Sequence, residues 1–203
     1  MRVLFSLVEA SAALDFRIQG PDAPVTGVTT DSRSIAPGDL FVALRGDRFD
    51  GHDFVDRALA AGAVAALVAD AEKVTNAGAA LLFAPDTRLA LGSLAAWWRS
   101  RFDLPVVAVT GSNGKTTVKE MLAAILRVAA GVDAVLATTG NLNNDIGLPL
   151  MLLRLRPSHR FAVFEMGMNH LGEIAYLTRL TRPTVAAITN AGTAHIGEVG
   201  SRD

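Results

Sequence analysis

Apolar residues along this chain fall into short compact runs that alternate with longer stretches of helical spacing, a pattern that predicts an α/β protein. Val25 to Thr30, Leu40 to Leu44, Val64 to Ala69 and Leu81 to Ala84 are short apolar runs separated by the turn formers Ala36-Pro37-Gly38-Asp39 and Gly46-Asp47, as expected of strands. A helical stretch from about Phe54 to Ala61 lies among them. Ahead of them Ser6 and Glu9 have capping-box spacing, with Phe5 placed as a staple, so a short helix over Leu7 to Leu14 is predicted. Together these elements predict a small α/β domain over residues 1–85.

From Asp86 the pattern changes to a helix through Leu89, Leu94, Trp97 and Trp98, then the apolar strand Val106 to Val109. Further elements alternate: a helix from Lys115 to about Ala129, a loop rich in Thr, Gly and Asn, a helix near Leu148 to Leu155, a strand Phe161 to Phe164, a helix near Leu171 to Leu180 and a strand Val185 to Thr189. Such alternation predicts a second domain, 86–203, with a mainly parallel sheet covered by helices on both faces. The sequence stops at Gly200-Ser201-Arg202-Asp203 without a closing helix, so this domain is expected to be incomplete.

Charge and cysteine content narrow the ligands. Nineteen Lys and Arg against 20 Asp and Glu leave no basic field for nucleic acid or an anionic membrane, so any anionic ligand needs a local site. With no cysteine there is no thiolate nucleophile, disulfide or Cys-based zinc site, which agrees with a reducing cytoplasm. Glu9 interrupts Val3 to Val8 too early for a secretion signal, and Ala58 to Ala69 falls short of the roughly 18 apolar residues that span a bilayer. A cytoplasmic protein without membrane insertion is expected.

The strongest chemical signal is Val106-Val107-Ala108-Val109-Thr110-Gly111-Ser112-Asn113-Gly114-Lys115-Thr116-Thr117, an apolar strand that enters a glycine turn and opens a helix with apolar positions Val118, Met121, Leu122, Ile125 and Leu126. Gly111 and Gly114 permit a tight turn whose amides, with the positive end of the helix dipole, converge on phosphate. Lys115 would reach the outer phosphates of ATP and the Thr116 hydroxyl a magnesium ion, so Gly111 through Thr117 form the expected nucleotide-binding loop. Val109 stands where the standard pattern has glycine, which makes the loop a variant.

Kinases, GTPases and ligases share such loops, so other residues must select the reaction. Glu165, delivered by the strand Arg160 to Phe164 to the carboxyl edge of the sheet, is placed to hold Mg²⁺. A solvated or capping glutamate is the plain alternative. His195, in the loop after Val185 to Thr189, reaches the same edge and can bind a second metal or orient a phosphate, although an ordinary hydrogen-bonding histidine fits the position too. Asn169 and His170 have weaker claims. The segment Thr138 to Pro149 is dense in short polar side chains that suit either a polar substrate or turn and cap chemistry.

In order along the chain, Thr30-Asp31-Ser32-Arg33, Pro37 to Leu44, Asp50 to Phe54, Thr110 to Thr117, Gly140-Asn141-Leu142-Asn143-Asn144 with Ile146 to Leu150, Glu165-Met166-Gly167-Met168-Asn169, and Asn190-Ala191-Gly192 with Ala194 to Gly197 together resemble the Mur ligase family. The asparagine-rich loop and the Glu-Met-Gly-Met-Asn run are similar to the branch that adds D-alanyl-D-alanine. The resemblance implies an N-terminal UDP-sugar domain, a central ATP domain and a C-terminal domain beyond this chain. It also implies a reaction in which ATP phosphorylates the carboxylate of a UDP-N-acetylmuramoyl tripeptide and D-alanyl-D-alanine attacks the acyl phosphate.

Carried over residue by residue, the resemblance gives Lys115, Glu165 and His195 catalytic roles, with Thr116, Glu165 and His195 on magnesium. Ser32, Arg33, Gly46, Asp50, Gly51 and His52 fall at the uridine-diphosphate site, and Thr138, Thr139, Asn141 and Asn144 face the muramoyl peptide. Family members carry a carbamylated lysine a short distance past Asp203, so this chain, expected to be monomeric, is expected to bind but not to ligate. A sister ligase, a folyl-polyglutamate-type synthetase and a non-catalytic UDP-sugar-binding fragment remain as alternatives, and the N-terminal module argues against the folate enzymes.

Overall fold

A computed structural model of the chain describes residues 2–76 and 78–192. The proposed metal ligand His195 lies outside the described residues. Two compact units meet in sequence at Trp97 and Trp98.

The first unit opens with β1 (Phe5–Ser6) and α1 (Leu7–Leu14). The Ser6 hydroxyl accepts from the Glu9 amide at 3.2 Å and the Glu9 carboxylate accepts from the Ser6 amide at 2.9 Å, so the expected capping box is formed. There follow β2 (Arg17–Gln19), β3 (Pro24–Val25), β4 (Gly27–Thr29), β5 (Asp39–Val42), α2 (Val55–Ala60), β6 (Ala65–Val68), β7 (Leu81–Phe83) and α3 (Thr87–Arg99). The main sheet has the order β2-β7-β6-β5-β4, with β2 antiparallel and the other strands parallel.

Every residue of β5, β6 and β7 is buried, which is why these strands read as continuous apolar runs. Phe41, Val68, Leu81 and Phe83 share a core with Val55 and Ala58 of α2. Burying each large side chain there contributes about 1.5–3 kcal/mol.

Three expectations change. Val25 to Thr30 is two strands, because Val25 pairs with Phe5 while Gly27–Thr29 joins the main sheet. Strand β2 has one apolar residue in three and went unseen; its Arg17 guanidinium lies 3.9 Å from the Phe83 ring centroid. The division between units falls at Trp97/Trp98 rather than after Pro85. Two contacts fasten α3 to the first unit: the buried Thr87 hydroxyl donates to the Ala43 carbonyl at 2.7 Å, and the Trp97 ring packs edge-on against Phe5.

The second unit contains β8 (Val106–Thr110), α4 (Lys115–Ala130), β9 (Val135–Ala137), α5 (Gly147–Leu152), β10 (Phe161–Glu165), α6 (Glu173–Thr181) and β11 (Val185–Ile188). All four strands are parallel, in the order β11-β8-β10-β9. From β8 the chain goes two places to one side, returns to the adjacent place, and then crosses to the other side. The carboxyl end of β8 is therefore the point where strand order reverses, and open parallel sheets bind ligands there.

Helix α4 packs differently from its apolar pattern. Val118, Leu122 and Leu126 face Val109, Ala137 and Val163 as expected, together with Ala123, but Met121 and Ile125 are 61 % and 64 % exposed. The inner face instead takes in Lys119, which is buried.

Candidate nucleotide and metal site

The turn from β8 into α4 depends on two glycines. Gly114 caps the helix at φ +78°, in the left-handed region that glycine enters without strain. Gly111 has φ +132°, and a Cβ there would collide with the Thr189 hydroxyl and come within 2.9 Å of the Asn190 carbonyl oxygen. Between them the loop is stitched to the segment that follows β11. The Asn190 side chain accepts from the Asn113 amide at 3.0 Å and donates to the Asn113 carbonyl at 3.1 Å. The Asn190 carbonyl accepts from the Ser112 amide at 3.1 Å, and the Thr189 hydroxyl donates to the Asn113 carbonyl at 2.6 Å. The Ser112 hydroxyl in turn accepts from the Gly192 amide at 2.8 Å.

With the Ser112 and Asn113 amides engaged in this way, the first turn of α4 is left as the anion-facing part of the loop. The Lys115 ammonium donates to the carbonyls of Gly111 at 2.7 Å and Ser112 at 3.3 Å, within the loop itself. Thr116 and Thr117 are both exposed in that first turn.

Glu165 ends β10 beside this turn, and its residue is only 3 % exposed. One carboxylate oxygen accepts from the Thr116 hydroxyl at 2.8 Å, the other from the Asn143 amide group at 2.8 Å, and its backbone N–H donates to the Thr138 hydroxyl at 2.9 Å. A hydroxyl beside one carboxylate is a donor set of hard oxygens. Magnesium, which takes one or two carboxylates and completes its shell with water and nucleotide phosphates, fits it. Among the described residues no group of three or more His, Asp and Glu side chains forms a protein-only cage.

Of the residues expected to face the muramoyl peptide, Thr138 is buried and its hydroxyl is committed to Glu165. The Thr139 hydroxyl accepts from Arg154 at 3.1 Å, and Asn144 accepts from the Gly147 amide at 2.8 Å, ahead of α5. Asn141 is exposed. The Asn169 and His170 amides donate to the Glu173 carboxylate in the first turn of α6, and the His170 ring lies against it at 3.1 Å, which fixes the chain ahead of that helix.

In the first unit, Ser32, Arg33, Gly46 and Asp50 lie in loops at the carboxyl edge of the parallel strands, after β4 and β5, and Gly51 and His52 open the short 3-10 helix Gly51–Phe54 that Asp50 caps. Arg33 folds back on Asp31 with two side-chain bonds of 2.9 and 2.7 Å, and this pairing lowers the Asp31 pKa to about 2. Gly46 closes a turn through its amide to the Phe49 carbonyl at 3.0 Å.

Gly51 passes so near the Ala43–Leu44 backbone that a Cβ would lie 2.7 Å from Leu44 atoms. The imidazole of His52 is interior: Nδ1 meets the Asp50 carboxylate at 2.6 Å and Nε2 accepts the Ala69 amide at 2.9 Å, so the ring is neutral with its proton on Nδ1. Partial burial pushes the Asp50 carboxyl up, but hydrogen bonds from His52 and Lys73 outweigh it and hold that group well below the usual carboxylate range. His52 thus ties together the loops after β5 and β6.

Four residues that carried no assigned role now have clear contacts. They are Asn143 on Glu165, Lys119 beneath Thr138, and the Thr189-Asn190 pair on the phosphate loop. Asn143 lay within the asparagine-rich loop and Asn190 directly after a strand at the ligand edge, but nothing in the sequence gives their partners.

A parallel sheet with a glycine turn leaving its reversal strand for a helix N-terminus, and a carboxylate at the end of the adjacent strand, defines a phosphate-loop α/β domain. The chain belongs to the Mur ligase family: the model of the Mur ligase middle domain matches residues 109–203 and that of the Mur ligase family catalytic domain matches residues 24–99. It is 50 % identical over 196 residues to the UDP-N-acetylmuramoyl-tripeptide--D-alanyl-D-alanine ligase of Escherichia coli strain K12, covering 97 % of this chain and 42 % of the relative. A crystal structure of MurF from Acinetobacter baumannii matches with a TM-score of 0.87 at 47 % identity, over 97 % of this chain and 43 % of that one. MurF ligase from Thermotoga maritima in complex with ADP matches with a TM-score of 0.74 at 37 % identity, over 84 % and 38 %. The chain therefore spans about two fifths of the length of the relatives it matches.

Proposed function

We propose that this chain carries the UDP-sugar-recognising and nucleotide-binding parts of an ATP-dependent, magnesium-requiring ligase that joins D-alanyl-D-alanine to a UDP-N-acetylmuramoyl tripeptide in peptidoglycan precursor synthesis. The activity for which the relatives are named and the ADP held by the Thermotoga maritima protein support this reading. The observation that carries it is the Thr116 hydroxyl 2.8 Å from the Glu165 carboxylate at the mouth of the phosphate loop.

Bound ATP and Mg²⁺ supply an activated phosphoryl group with its charge partly neutralised. The chain's own residues do the rest by position and charge. The Lys115 ammonium, now on loop carbonyls, turns to the outer phosphates; the amides of Gly114 to Thr116 meet phosphate oxygens; Thr116 and Glu165 hold the cation, and His195 a second one. Ser32, Arg33, Gly46 and the Asp50-Gly51-His52 turn recognise the uridine diphosphate, with His52 acting from behind as a tie. Thr139, Asn141 and Asn144 present the polar loop to the peptide, and Thr138 supports it. No helix among the described residues is long and apolar enough to cross a membrane. A cytoplasmic site of action is part of the proposal.

The test is a calorimetric titration of this chain with UDP-N-acetylmuramoyl tripeptide and, separately, with Mg²⁺-ATP, beside Lys115→Ala. The variant should bind the UDP-sugar as the wild type does and lose at least about tenfold in nucleotide affinity, the worth of a charge-assisted contact. Equal loss of both ligands, or undiminished nucleotide binding, would overturn the two-site assignment.

A further inference from the structure

Lys119 is a charged residue on the inner face of α4, 1 % exposed, among the apolar side chains Val118, Leu122 and Ala123. Taking an ammonium out of water is costly, and an apolar side chain of the same length would ordinarily pack as well or better in that place. What the ammonium reaches is therefore informative. It donates to the Thr138 carbonyl at 3.0 Å and pairs with the Glu120 carboxylate. Thr138 is itself 1 % exposed; its amide bonds the Val163 carbonyl at 3.0 Å and its hydroxyl accepts the Glu165 amide at 2.9 Å. Glu165 in turn takes the hydroxyl of Thr116, which stands one turn before Lys119 on the same helix. The bonds close a ring: α4 to Glu165 through Thr116, Glu165 to Thr138, and Thr138 back to α4 through Lys119.

We propose that Lys119 is a positioning residue for the magnesium-dependent step of nucleotide binding. It anchors the end of β9 to α4 and, through Thr138, sets the Glu165 main chain so that its carboxylate meets Thr116. This rests on the nucleotide and magnesium reading above. A residue that merely fills the core would be replaced by Met without loss of the Mg²⁺-dependent part of the affinity, whatever the replacement does to stability.

The experiment is an ADP titration of the whole chain with Mg²⁺ and with EDTA, for the wild type, Lys119→Met, Lys119→Arg and Thr138→Val, with thermal melts alongside. Lys119→Met should still melt cooperatively, though at a lower temperature because the buried Thr138 carbonyl loses its donor, and lose about tenfold of the affinity that Mg²⁺ adds, while the affinity in EDTA stays within about twofold. Arg, which keeps the charged donor, should restore part of the loss. Thr138→Val should lose the Mg²⁺-dependent part as Lys119→Met does, and the double variant should be no worse than either alone, because both break one ring. The proposal is overturned if Lys119→Met keeps the full Mg²⁺ gain or weakens ADP equally in both buffers. Should that variant not fold, Thr138→Val decides, and an intact Mg²⁺ gain in it is the overturning result. A wild type without any Mg²⁺ gain would remove the functional reading and this proposal together; a wild-type gain that the variants share removes this proposal only.

Discussion

Asn190 offers a quantitative handle on the phosphate loop. Its side chain brackets Asn113, accepting from the amide at 3.0 Å and donating to the carbonyl at 3.1 Å. Each such neutral bond is worth about 0.5–1.5 kcal/mol net, with the lower half of that range appropriate to an exposed loop. If the bonds hold the loop in its binding shape before nucleotide arrives, losing both in Asn190→Ala adds about 1–2 kcal/mol of ordering cost to binding. That corresponds to roughly 5- to 30-fold weaker Mg²⁺-ADP affinity. Asn190→Asp should be weaker still: it keeps the acceptor for the Asn113 amide but sets a carboxylate against the Asn113 carbonyl and adds negative charge beside a phosphate site. Isothermal titration with ADP gives all three values, and UDP-sugar affinity, which the proposal assigns to the first unit, serves as the control. The opposite outcome has a clear meaning. The Asn190 side chain engages an amide that could otherwise face phosphate, so tighter ADP binding by Asn190→Ala would show that it competes with the ligand, and the preorganisation argument would be wrong.

Three further outcomes follow from the same contacts. Glu165→Gln places an amide group between two donors, Thr116 and Asn143, and removes the negative charge; the Mg²⁺-dependent part of ADP affinity should fall by about 10- to 100-fold, read from a Mg²⁺ titration at fixed ADP, and unchanged Mg²⁺ dependence would exclude Glu165 as a ligand. His52→Ala leaves the Ala69 amide and part of Asp50 without their partner in a buried place and opens a cavity, so urea denaturation should show the first unit destabilised by about 2–4 kcal/mol, with a loss under about 1 kcal/mol contradicting the tie. Asp31, held near a pKa of about 2 by the Arg33 side chain, is a depressed carboxylate. Its stabilising contribution is full above the unfolded value of about 4 and fades as pH falls from there toward 2. Arg33→Ala should flatten thermal stability in that window, by a small amount because both side chains are solvent-accessible, 78 % and 41 %.

How much was legible depended on how local each cause is. The strand, glycine turn and helix of residues 106–130 form one continuous stretch, and the capping box of Ser6 and Glu9 spans three residues, so sequence spacing alone carried them. Strand β2, with one apolar residue in three, offers no apolar run of the kind that marks β7, and the three residues of β9 follow α4 with only a short turn between them and run into a polar loop. The Thr189-Asn190 contacts join residues 76 and 77 positions apart, and no local rule reaches that far.

The misreading of α4 has a different origin. Apolarity placed Met121 and Ile125 inward with Val118, Leu122 and Leu126, whereas the structure exposes both and buries Lys119, which lies outside the apolar pattern. Binary patterning assumes that a helix is governed only by burial of apolar area, and here a second requirement acts on the same face. The sheet beneath α4 ends in Thr138 and Glu165, whose carbonyl and carboxylate need donors, and α4 supplies Lys119 to the carbonyl and Thr116 to the carboxylate. Sequences tend to break their own pattern where chemistry imposes such a competing demand. On that reasoning a buried charge on an otherwise apolar face, one turn from a phosphate loop, belongs with the candidate site residues from the outset, and its effect should appear in ligand linkage as well as in the melting temperature.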